Sequence, residues 1–219
     1  MSNIPAMSHS SVKKLAAYFA LATFTGLTCS ASAQAITGDQ IKAQFLKDWQ
    51  RAKAYTLDYL NTMPADKYSF RPVDSIRNFA EQMLHLAWDN VFLNMVATGK
   101  KIDWVPGQKF NWHDGEKIDW PDGYLENSST AQGKDSVIYY VSKSYDIALQ
   151  FIKRLDPSKY SEITGMRDIT DTRYAWLLKA FEHQTHHRGH VHALLTGLVG
   201  EAPELDLLYF QRVSAKSTA

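Results

Sequence analysis

A single cysteine, Cys29, stands in the 219 residues. One thiol makes no disulfide framework within the chain and no thiolate cluster of the kind that holds structural zinc. An excess of charge of one sign is lacking too. Lys and Arg total 24 against 23 Asp and Glu, a formal net charge of +1. That leaves no basic stripe to neutralise phosphates and sets nucleic acid aside as a partner. The apolar run Leu15–Leu27 falls well short of the roughly 20 residues that a spanning helix needs. No stretch alternates convincingly as a strand between turn residues.

The short apolar run has a different reading. Lys13 and Lys14 precede it and Ala31-Ser32-Ala33 follows it. A positive segment, an apolar segment and a small-x-small site form the pattern of a secretory signal. Residues 1–33 are therefore expected to be a signal peptide, residues 34–219 the folded domain, and the location periplasmic or secreted. Cleavage before Gln34 removes Cys29 and both lysines. The mature chain then has no cysteine, no stable membrane anchor and a net charge near 22 − 23 = −1.

Aromatic residues are plentiful, with six Trp, eleven Tyr and ten Phe, enough for a core and a pocket wall. Four segments carry helical periodicity. The first covers about 37–63, with Ile41, Phe45, Trp49, Ala52, Leu57 and Leu60 at helical spacing, Thr37 or Asp39 as caps and Pro64 as the stop. The second covers about 75–98, with Ile76, Phe79, Met83, Leu86, Val91, Leu93 and Met95 on its apolar face and Gly99 after it. The third covers about 134–155 and ends at Asp156-Pro157. The fourth begins near Asp171 or Thr172 and runs to about Val199, closed by Gly200 and Pro203. Four amphipathic helices without strands predict an all-α four-helix bundle. The 35 residues from Gly99 to Gly133 exceed the usual loop of a compact domain. They carry the echo Lys101-Ile102-Asp103-Trp104 and Lys117-Ile118-Asp119-Trp120 around Trp112. A long crossover, with some contact to a pocket, is the expected role of this segment.

Histidines are concentrated in the fourth helix: His183, His186, His187, His190 and His192. Residues four apart share a helix face, so two imidazoles at that spacing can chelate one ion. Both His183/His187 and His186/His190 satisfy it, and spacing alone leaves the choice open. Positions 183, 187 and 190 fall within about 60° of one another around the axis, but their rise of about 10 Å is too long for all three to reach one ion. A third ligand has to come from another helix. His85, mid-helix among Met83, Leu86 and Trp88, is the candidate. Asp89 lies one turn after it and Glu81 one turn before it, placing two carboxylates within reach as base or supporting partner.

The run His183-x-x-x-His187-Arg188-Gly189 resembles the end of the DinB/YfiT-like superfamily. Similar context surrounds it: Pro72-x-x-Ser75-Ile76 before the second helix, His85-Leu86-Ala87 within it, and Gly197 to Pro203 at the close. The resemblance covers nearly the whole mature chain. It implies a four-helix bundle with a long crossover between helices two and three, and one divalent metal ion held by His85, His183 and His187. It further implies a structural salt bridge for Arg188 and close helix packing at Gly189. Where relatives often carry Gln, this chain has His190, which either adds to the pocket, as a candidate catalytic group together with Asp89, or replaces a structural amide. Homodimers occur among the relatives.

Three imidazoles leave a coordination position open, as in catalytic zinc sites. Zinc is the default ion; nickel and iron also suit imidazole. The resemblance implies a metal-dependent hydrolase or a thiol S-transferase acting on a small molecule. Export disfavours the transferase, because small thiol cofactors are mainly cytoplasmic. A non-catalytic envelope protein that binds metal, or one related to stress, is the alternative.

Overall fold

The computed structural model describes residues 35–99, 120 and 124–203. The expected signal peptide, Cys29, Trp104, Trp112 and His113 lie outside the described residues. The chain divides between Ile36 and Thr37, and the fold below belongs to the second part.

Four long helices make up that part: α1 (Gly38–Thr62), α2 (Phe79–Ala97), α3 (Lys134–Arg154) and α4 (Arg173–Val199). Thr37 caps α1, its side chain accepting from the Gln40 amide while Gln40 reaches back. Gly200, at φ 79°, ends α4 in the left-handed conformation that glycine tolerates. No helix among the described residues is long and apolar enough to cross a membrane.

The second helix starts later than the periodicity suggested. Asn78 and Glu81 form a capping box, so α2 begins at Phe79 rather than near Ser75. Ile76, expected on the apolar face, is 43% exposed. Two short strands also stand where none was expected. β1 (Ile163–Met166) pairs antiparallel with β2 (Ile169–Thr172) just ahead of α4. Four residues are too few to display alternation. The turn carries no glycine, its positive φ of 55° falling on Arg167. Trp176 Nε1 donates to the Thr164 carbonyl at 3.2 Å, holding the hairpin against the start of α4.

Chain direction follows from the end contacts. Asn78, before α2, bonds Gln132, before α3, at 3.4 Å, while Thr98 and Leu155 line one cavity beyond the other ends. Helices α2 and α3 are therefore parallel neighbours, and the segment between them is the expected crossover. Lys42 of α1 donates to Leu155 O at 2.8 Å, and Lys134 of α3 to Met63 O at 2.8 Å, so α1 runs opposite to α3. Arg173, at the start of α4, donates to Thr98 O at 2.8 Å, so α4 runs opposite to α2. Between these helices lies a core that includes Trp49, Tyr59, Phe79, Met83, Trp88, Val91 and Tyr145, each at most 1% exposed. Fully burying a side chain such as Phe79, Met83 or Val91 contributes roughly 1.5–3 kcal/mol.

Candidate metal centre

The capping box fixes where α2 starts and hence which residues face α4. From Phe79 onward the buried side of the helix is mostly apolar; Gln82, Asn90 and Asn94 are its buried polar residues, and half-buried His85 follows Gln82 by one turn. The antiparallel α4 brings His183 and His187 to the same level. His85, His183 and His187 each offer a ligand atom, and these atoms lie within 4.8 Å of one another.

The Nε2 atoms of His183 and His187 are 3.1 Å apart, a separation that two ligands of one ion adopt when each bond is about 2.0–2.1 Å. Both remaining Nδ1 positions of the pair across the helices are engaged. His187 Nδ1 donates to Gln82 Oε1 at 2.6 Å, and His85 Nδ1 donates to Glu126 Oε1 at 3.0 Å. A proton held at Nδ1 leaves the Nε2 lone pair turned to the site, the usual arrangement of a metal-ligating histidine. Burial pushes the His187 pKa down to about 2, with the neighbouring His183, His85, His186 and His190 adding to it. His187 is therefore a neutral donor throughout the physiological range, which suits a cation. The donor set fits a divalent metal ion and offers no grip for an anion.

Asp89 adjoins two of the three histidines. Its Oδ2 lies 2.8 Å from His183 Nε2 and 3.5 Å from His85 Nε2. Glu81 does not join it. That carboxylate is clasped by Arg71 at 2.6 and 2.7 Å and accepts from the Asn78 amide, so it serves the helix start. His190 is exposed, its ring centroid 4.2 Å from His186 and 5.8 Å from His187. Partial burial, then His186, hold its pKa below the ordinary range. His192 bonds the Tyr59 hydroxyl at 3.2 Å on the side facing α1.

Two expectations drawn from the resemblance are corrected. Buried Arg188 makes no salt bridge among the described residues. Its guanidinium donates to Gln184 Oε1 at 3.0 Å, to the Thr56 and Tyr145 hydroxyls at 3.3 Å and to Thr185 at 2.9 Å, and it lies over the Tyr55 ring. A ring of neutral oxygens replaces the carboxylate. Gly189 is exposed, with no atom within 4 Å of where a Cβ would stand, so it permits no close approach.

Sequence reasoning missed Gln82 and Glu126. Gln82 carries a faint signal, a polar residue on an apolar face one turn before His85. Glu126 carries none. It comes from a 3-10 turn, Leu125–Asn127, in the crossover. It is 8% exposed, and Arg77 reaches it at 3.4 Å.

A bundle of parallel and antiparallel helix pairs thus brings three histidines from two facing helices together in a group that could hold a metal ion. A family model described as the DinB superfamily matches residues 48–191. The chain belongs to that superfamily. A DinB-like protein from Bacillus cereus ATCC 10987 is similar in structure, with 16% identity and a TM-score of 0.52 over 74% of this chain and 95% of that one. A DinB-like protein from Bacillus subtilis has 14% identity and a TM-score of 0.53, over 73% of this chain and 94% of that one. These two likenesses concern the fold. No curated protein matches the chain.

Proposed function

We propose that this protein is an exported metal-dependent hydrolase of a small molecule, with His85, His183 and His187 as the ligands of one divalent ion and Asp89 as the general base. The observation that carries the reading is the Asp89 oxygen 2.8 Å from His183 and 3.5 Å from His85. A base placed there takes a proton from water at the point where the three imidazoles converge. A divalent ion held by three imidazoles acts as a Lewis acid and lowers the pKa of water to about 7. Gln82 and Glu126 keep the His187 and His85 rings aimed at it. Zinc is the default, and nickel or iron suits the same donors. Transfer onto a thiol uses the same open position, but an exported enzyme meets few small thiols. Lys13-Lys14, the apolar run and Ala31-Ser32-Ala33 support export; N-terminal sequencing of the protein recovered from cells is expected to begin at Gln34.

The test is a screen of the zinc-loaded protein against esters, amides and thiol conjugates. Hydrolysis is expected, abolished in His187→Ala together with the metal and abolished in Asp89→Asn with the metal retained. Tight metal binding with no turnover in any class would select the competing reading, a non-catalytic metal-binding protein of the envelope. The surplus of histidines on α4 favours that competitor.

A further inference from the structure

The three-ligand centre uses two of the five histidines of α4. His186 and His190 stand one turn apart on the exposed side of the same helix. Their ring centroids are 4.2 Å apart with the planes at 60°. The His183/His187 pair has nearly the same arrangement, 4.4 Å and 58°, and there the Nε2 atoms are 3.1 Å apart. Neither His186 nor His190 hydrogen-bonds a side chain among the described residues, so both rings are free to turn their lone pairs outward. We propose that His186 and His190 form a second, solvent-exposed site for a divalent transition-metal ion, separate from the buried one.

The separateness follows from His187, the residue between the two pairs. Its ring centroid is 5.0 Å from His186 and 5.8 Å from His190. Both of its nitrogens are already committed, Nδ1 to Gln82 at 2.6 Å and Nε2 toward His183 at 3.1 Å. It has no lone pair to lend outward, so the exposed pair does not merge with the buried set. Two protein ligands leave the other positions to water, which makes this the weaker site. Imidazole nitrogen selects borderline cations such as Zn²⁺, Ni²⁺ and Cu²⁺ over Mg²⁺ or Ca²⁺.

The inference goes beyond the catalytic reading and does not depend on it. The experiment is a calorimetric titration of Zn²⁺ into the metal-free protein, prepared without an affinity tag. Two Zn²⁺ per chain are expected, one tight and one weak. His186→Ala and His190→Ala should each remove the weak event and leave the tight affinity within about twofold, as for sites that share no partner. His85→Ala should remove the tight event alone. Both α4 positions are exposed, so unchanged thermal unfolding of the metal-free variants checks that the fold is intact. A parent protein that shows the tight event and no weak one, or a weak event surviving in the His186→Ala/His190→Ala double variant, would overturn the proposal. A weak event lost in His190→Ala with no tight event in the parent would uphold this site and remove the buried centre instead.

Discussion

Two histidine pairs on one helix differ in almost nothing that the helix itself controls. His183/His187 and His186/His190 have the same spacing, ring separations of 4.4 and 4.2 Å and interplanar angles of 58° and 60°. Their surroundings differ completely. The first pair faces α2, where His85, Gln82 and Asp89 meet it. The second faces solvent. The comparison separates chelating geometry, which any i, i+4 histidine pair has, from a built site, which here adds a third histidine and partners that hold the His85 and His187 rings by Nδ1.

The largest expected break of this contrast comes from His187→Ala. Elemental analysis of the tag-free protein should fall from about one tightly held metal per chain to none, while His190→Ala keeps it. An unchanged ratio in His85→Ala would remove the third ligand from the account.

A second contrast is in acid. His187 has a native pKa depressed to about 2, against about 6.5 for an unfolded histidine. The unfolded chain therefore binds the proton that the folded chain refuses. The resulting stability is fully present above pH 6.5 and is lost as pH falls from there toward 2, by up to about 1.4 kcal/mol per pH unit. Denaturant unfolding of the metal-free protein between pH 7 and 4 should show this loss, and His187→Gln should flatten it. The same change at His190 should alter the slope far less, because that ring is exposed.

Removing a ring's partner should act more gently than removing the ring. Glu126→Ala and Gln82→Ala should each weaken the tight ion by about 10- to 100-fold in a chelator competition, the usual effect of losing an outer hydrogen bond to a ligand. Glu126→Gln, which keeps an acceptor for Nδ1, should recover part of the loss. An affinity unchanged in Glu126→Ala would reduce that contact to a packing role. The smallest effect belongs to the exposed pair: His186→Ala and His190→Ala should shift metal-free stability by no more than about 0.5 kcal/mol, as surface substitutions do.

Much of the fold was legible. Thr37, Pro64, Gly133, Asp156-Pro157, Thr172 and Gly200 mark helix ends by local chemistry, and local chemistry survives folding. The start of α2 was misread because Ile76 continues the apolar period, while the deciding signal was the Asn78/Glu81 capping box. The β1–β2 hairpin escaped because its strands are four residues long and its turn rests on Arg167. Glu81 and Asp89 looked equivalent around His85; only the Arg71 contact and the position of α4 distinguish them.

By itself the sequence determined that α4 would present chelating histidine pairs, since a period of 3.6 residues places i and i+4 on one face wherever the helix lies. It could not rank the pairs, because both obey that period. The tertiary structure ranked them by turning one side of α4 to α2. It also brought Glu126, 41 positions from His85 in the chain, against a ring that no local rule connects to it. Local periodicity is a property of one helix, whereas burial and a third ligand are properties of two helices meeting.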